Sequence, residues 1–166
     1  MDDYLERNKK PKGPLHGLPV SLKDQFRIEG LETINGEIDV SPGSLVYEFA
    51  PGYVANIGDY ATKNSVLVDV LNELGAVLFV RTNVPQTLMW GETYNNVFGR
   101  TLNLHNRSLT PSESSGGEGA LLAMRGSPLG VGTDIGGSVR IPASASGIYS
   151  LRPSYVRFPY YGVLNA

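Results

Sequence analysis

The chain has 166 residues, 41% of them apolar and 18% charged, with a formal net charge of −2. That balance excludes a disordered polar chain and argues against a nucleic acid or an anionic membrane surface as the main partner. There is no cysteine and there are two histidines, His16 and His105, so disulfides, thiolate chemistry, Cys-ligated zinc and a three-His metal site are all excluded. No apolar run approaches the eighteen or so residues of a membrane span, and the first residues carry no apolar leader, so the expected setting is cytoplasmic. The Asn106-Arg107-Ser108 tripeptide then has no role as a glycosylation site.

In chain order, residues 1–13 are polar and mixed in charge, ending in Lys12-Gly13-Pro14; they read as a terminal segment or the exit of a helix. From Leu15 to Lys23, Leu18, Val20 and Leu22 alternate with Pro19, Ser21 and Lys23, the period of a short strand. A lysine at a strand end is ordinarily solvated, and that is the first reading of Lys23. Gly30 to Tyr60 lacks a sustained period and is rich in Gly and Pro, so it reads as a long loop with a strand at Leu45–Phe49.

The clearest element comes next. Asn64 or Ser65 can cap a helix in which Val66, Leu67, Val70, Leu71 and Leu74 recur at helical spacing, and Gly75 ends it. Ala76 to Val80 is a continuous apolar run that predicts a fully buried strand. Helix, glycine and buried strand make an α/β unit. Residues 83–109 read as loops with one helical turn near Gln86 to Trp90.

Nine of the 20 glycines fall between Gly116 and Gly147. The run Ser112 to Gly119 has a linker's composition, but a good helical stretch, Ala120 to Arg125, follows directly, which places the serines at a helix N-terminus. Leu129 to Thr133 then reads as a strand, and Asp134 to Ala143 as a sharp turn into a second helix. Ser138, after Gly136-Gly137, has the ingredients of a nucleophile displayed on a tight turn, with nearby N–H groups suited to an oxyanion. Its base is not marked by either histidine; a lysine kept neutral by burial can serve, and Lys23 is the candidate. Phosphate binding is a weaker reading: Gly130-x-Gly132-x-x-x-Gly136 misses the dinucleotide pattern by one residue, and Gly117 to Ser127 lacks the P-loop lysine.

Ser114-Ser115-Gly116-Gly117-Glu118-Gly119-Ala120, with Ser127 to Ala143, resembles the defining block of the amidase signature family, and Gly17 to Asp24 resembles that family's lysine strand. Thr82 to Thr87 and Asn96 to Thr101 are most similar to its fungal acetamidase and fatty-acid-amide-hydrolase branch. The resemblance implies an α/β/α fold with a mixed central sheet flanked by helices, of which 14–166 would be an incomplete N-terminal portion and 37–52 an insertion. It implies cleavage of a small-molecule carboxylic amide to acid and amine or ammonia without a cofactor or metal, through a Ser-cisSer-Lys triad. Ser138 would be the acylated nucleophile, Ser114 the cis-peptide relay and Lys23 the base. The backbone N–H groups of Ile135, Gly136, Gly137 and Ser138 would form the oxyanion hole, with Ser115, Thr133, Asp134 and Arg140 supporting the loop.

The sequence departs from the family where Ser112-Glu113 replace Gly-Gly before the paired serines, which removes glycine freedom and places a carboxylate able to hold Lys23 protonated. A catalytically impaired fragment is therefore the alternative reading, and an ammonia-releasing amidotransferase subunit a lesser one. Uncovered strands in an incomplete sheet would favour self-association.

Overall fold

The computed structural model describes residues 2–33 and 58–164. The 37–52 insertion and the strand read at Leu45–Phe49 lie outside the described residues. The N-terminal segment carries a short helix, α1 (Asp2–Asn8), with no buried residue.

The centre of the fold is β1 (Pro19–Lys23), flanked by β2 (Val77–Thr82) and β5 (Leu129–Val131) in the order β2-β1-β5, all three parallel, while β3 (Tyr94–Asn95) and β4 (Gly99–Arg100) form a separate antiparallel pair. Alternation along β1 sends its two sets of side chains to opposite faces. Val20 and Leu22 meet Leu67, Val68 and Leu71 of α2 (Val66–Glu73) in the main apolar cluster. Ser21 and Lys23 face α3 (Gly116–Ala123), which lies across the other side of the sheet. The result is the α/β/α layering expected, with helices on both faces of a parallel sheet.

This strand order has a consequence for function. The chain leaves β1 towards β2 through α2 on one face, then crosses back over β1 to β5 through α3 on the other, so the winding direction reverses between β1 and β5. In open parallel sheets the crevice outside the carboxyl ends of the strands at such a reversal is where ligands bind. Lys23 ends β1 at that place, and Thr133 follows β5 there.

The helix α2 forms as its apolar spacing predicts and stops in a complete Schellman closure. Gly75 sits at φ +89°, its N–H reaching Asn72 O at 3.1 Å, and the Ala76 N–H reaches Leu71 O at 3.0 Å. The Ser65 hydroxyl does not cap it; the Asn64 side chain instead donates to Asp69 Oδ1 at 2.7 Å.

Two elements differ from the sequence-based expectation. The strand β2 is not fully buried: Val77, Val80 and, at 49% exposure, Phe79 face outward. Apolar composition recorded strand propensity, but β2 is the outer strand of the described sheet. Its register also slips. Val20 pairs with Leu78 but Ser21 with Val80, which leaves Phe79 as a bulged residue. The bulge changes which face the strand's later residues occupy, so Thr82 comes opposite Lys23, on the α3 side, where strict alternation from Leu78 would have put it among the apolar residues.

The second difference is α3, which begins at Gly116 rather than Ala120, so the glycine run is the helix's first turn. Intrinsic propensity argues against three glycines in a helix. Packing overrides it: a Cβ on Gly117 would stand 2.4 Å from the Asn83 carbonyl oxygen and 2.7 Å from the Asn83 nitrogen, so only a helix without side chains there can lie this close to the end of β2. Gly117→Ala is accordingly expected to lower stability by about 1–3 kcal/mol despite its better helix propensity, read as a lower denaturant midpoint at unchanged m.

Candidate active site

Lys23 is fully buried, because α3 covers the face that alternation along β1 would otherwise expose. Its Nζ lies 2.6 Å from Ser114 Oγ and 2.8 Å from Thr133 Oγ1. Both partners are hydroxyls, and among the described residues no carboxylate is in contact to neutralise an ammonium there. Burial lowers its pKa to about 7, against the pull of Asp134, Glu118 and Glu113, which favour the cation. The hydrogen bonds suit a free amine: Ser114 O–H can donate to the Nζ lone pair, and an N–H of the amine to Thr133. Thr133 Oγ1 in turn donates to Gln25 Oε1 at 2.5 Å. Gln25 is held by Leu164 O and Tyr160 Oη, at 2.9 and 3.2 Å from its Nε2.

Ser114 is buried at the entrance to α3, and Ser115, at the helix N-cap position, clasps the chain after β5, its Oγ 3.4 Å from the Thr133 nitrogen and 3.3 Å from the Thr133 oxygen. All peptide bonds of the described residues are trans, so the expected cis bond at Ser114 is absent. For a non-proline residue the trans form is favoured by roughly 3 kcal/mol, and the chain turns here by another means: Ser112 adopts φ +71° and the Gly116 N–H closes on Glu113 O at 2.8 Å.

Ser138 precedes α4 (Arg140–Ser146) in a loop wound around one carboxylate. Asp134 accepts the N–H groups of Gly137, Val139 and Arg140 at 2.9, 3.1 and 3.3 Å, and both Nε and Nη2 of the Arg140 side chain at 3.0 and 2.9 Å. The Arg140 hydrogen bonds hold the Asp134 carboxyl well below the usual carboxylate range, with the backbone N–H groups adding to the effect against the cost of burial. Because the Gly137 N–H is committed to Asp134, it is not free for an oxyanion, contrary to the four-donor hole expected from the sequence. The N–H groups of Ile135, Gly136 and Ser138 have no partner among the described residues, and these three line the same cavity as Ser114.

That cavity, of about 300 Å³, also takes in Gln25, Thr133 and Glu113, with Met89 and Trp90 supplying apolar wall. Here the expected relay is incomplete: Ser138 Oγ donates to Glu113 Oε2 at 3.4 Å and makes no hydrogen bond with Ser114. The histidines serve elsewhere, His105 against the Ser146 carbonyl and His16 accepting the Lys12 N–H. Sequence reasoning passed over Gln25, which only the fold brings to Thr133. It also passed over Glu118, although a lone charge inside a glycine and alanine helix was a legible signal.

Comparison with known proteins now decides the family. A family model described as Amidase matches residues 46–166. The chain belongs to the amidase family. Acetamidases of Aspergillus oryzae and Emericella nidulans are 48% and 46% identical over the whole chain, which covers 28% and 27% of their lengths. A solved structure of a fatty acid amide hydrolase superposes on 99% of the chain, and 26% of its own, with a TM-score of 0.85 and 40% identity. The chain thus spans about 28% of the length of its first curated relative.

Within this amidase chain the left-handed backbone at Ser112 is a local cost that glycine would not carry. Ser112→Gly is expected to raise stability by about 1 kcal/mol, visible as a higher thermal midpoint.

Proposed function

We propose that this chain is the nucleophile-bearing portion of an amidase that hydrolyses small carboxylic amides through an acyl-enzyme. The observation that carries the reading is the buried Lys23 amine, 2.6 Å from Oγ of Ser114, a residue that lines one cavity together with Ser138. Ser138 Oγ attacks the amide carbon while its proton passes to Ser114 and that of Ser114 to Lys23. The C–N bond breaks as the nitrogen takes the proton back along the same path and leaves as amine or ammonia. Water, deprotonated by the same relay, then releases the acid and restores Ser138. The N–H groups of Ile135, Gly136 and Ser138 are the proposed oxyanion donors; Gly137 acts through Asp134 in shaping the loop.

For the relay to run, the Ser138 hydroxyl must turn from Glu113 to Ser114. That contact favours a second reading, an impaired amidase fragment in which Glu113 restrains the nucleophile. A fluorophosphonate probe separates the two. Labelling of Ser138, located by peptide mass, supports the first reading, and a folded chain that stays unlabelled at every pH sinks it. The pH dependence follows from the lysine: the free base is present above about 7, so the labelling rate is expected to climb through pH 7 and level off above it. Glu113→Gly is expected to speed labelling several-fold; an unchanged or slower rate would show that Glu113 does not restrain the site.

A further inference from the structure

Glu118 is 6% exposed in the first turns of α3, and the proposed reaction does not use it. Its two carboxyl oxygens reach two strands: Oε2 is 2.6 Å from Ser21 Oγ on β1, and Oε1 is 2.6 Å from Thr82 Oγ1 on β2. Gly130 on β5 leaves it room, since a Cβ there would come within 2.1 Å of Oε2. Ser21 and Lys23 are alternate residues of β1 and share the face under α3. The buried acid and the buried amine therefore lie on one side of one strand without touching.

The groups around the pair are few. Lys23 faces Asp134 and Glu113 besides Glu118. Around Glu118, β5 and the rest of α3 carry no ionisable residue, Arg81 of β2 pairs with Asp24, and Arg140 of α4 is held by Asp134. Among the described residues no lysine, arginine or histidine nitrogen lies within 4.0 Å of Glu118.

The donors around Glu118 accommodate the acid form: Thr82 donates to Oε1, and a proton on Oε2 can be given to Ser21 Oγ, which lies 3.4 Å from Leu129 O, a carbonyl that already accepts from Ser127 Oγ at 2.8 Å.

We propose that Glu118 is the positioning partner of Lys23: a buried carboxylic acid that fastens α3 to β1 and β2 and, by keeping its proton, leaves Lys23 as the free amine. The amine-plus-acid pair and the ammonium-plus-carboxylate pair hold the same number of protons. With no contact between them to offset the desolvation of two charges, burial favours the neutral pair. Burial also moves both groups in the required direction, Glu118 upward and Lys23 downward.

The inference deepens the amidase reading, but its test does not need turnover. The infrared carboxylic-acid band that Glu118→Gln abolishes is expected to persist in the unmutated chain past the pH at which Lys23, followed by carbon NMR of labelled lysine, has lost its proton. Glu118→Gln, which preserves neutrality and the contacts to Ser21 and Thr82, is expected to melt close to the unmutated chain and to move the Lys23 midpoint by less than about half a pH unit. A band that disappears before Lys23 titrates, or a Lys23 midpoint lowered by a unit or more in folded Glu118→Gln, would mean that the two form an ion pair and would overturn the proposal. Glu118→Ala, which strands both hydroxyls, is expected to unfold, and so the glutamine variant carries the test. A chain that shows the band but never labels at Ser138 would retain this proposal and lose the amidase reading.

Discussion

A lysine amine sealed inside the fold, with no carboxylate of the described residues in contact, is the constraint around which this structure is arranged. The Lys23 Nζ has two hydroxyl partners, Ser114 from the start of α3 and Thr133 from the end of β5. For both to reach it, a helix must lie almost on the sheet and a loop must return beside the strand end. Gly117 of α3 meets the first requirement, where any side chain would strike the backbone at Asn83. The second is met by Ser115, which ties the chain at Thr133 to the same helix.

The site then divides its charges by depth. Asp134 and Arg140 form a pair at the rim whose work is structural: five donors converge on one carboxylate, and the loop that carries Ser138 takes its shape from them. Beneath the sheet's surface Lys23 and Glu118 are kept apart, so low dielectric acts on each of them rather than on a contact. Glu113 stands between these regimes, facing the cavity and within reach of the Ser138 hydroxyl.

Much of this was legible in the sequence. The period of α2, the glycine that ends it and the display of Ser138 after two glycines are local features, and local physics decides them. Lys23 was legible as a candidate because the absence of cysteine and the scarcity of histidine left few bases for a serine. The exposed face of β2 was not legible, because apolar content reports strand propensity and says nothing of which neighbours a strand has. The start of α3 was missed for the opposite reason: glycine is a poor helix former until a close backbone makes any larger residue impossible. Ser114 was singled out by resemblance alone, and Glu118 escaped notice because its partners lie 97 and 36 residues away in the chain.

The bulge at Phe79 ties chain length to site chemistry. One extra residue between Leu78 and Val80 turns Thr82 to the face where Glu118 waits, while Leu78 keeps its place against the apolar cluster. Deleting any single residue in that short span would leave composition, hydrophobic pattern and strand propensity almost intact, yet it would rotate the strand's end by half a turn. The polar face would then lose a hydroxyl and the apolar face would gain one. Tolerance to substitution and tolerance to insertion or deletion are thus decoupled in β2: its exposed side chains can vary freely, whereas its residue count cannot.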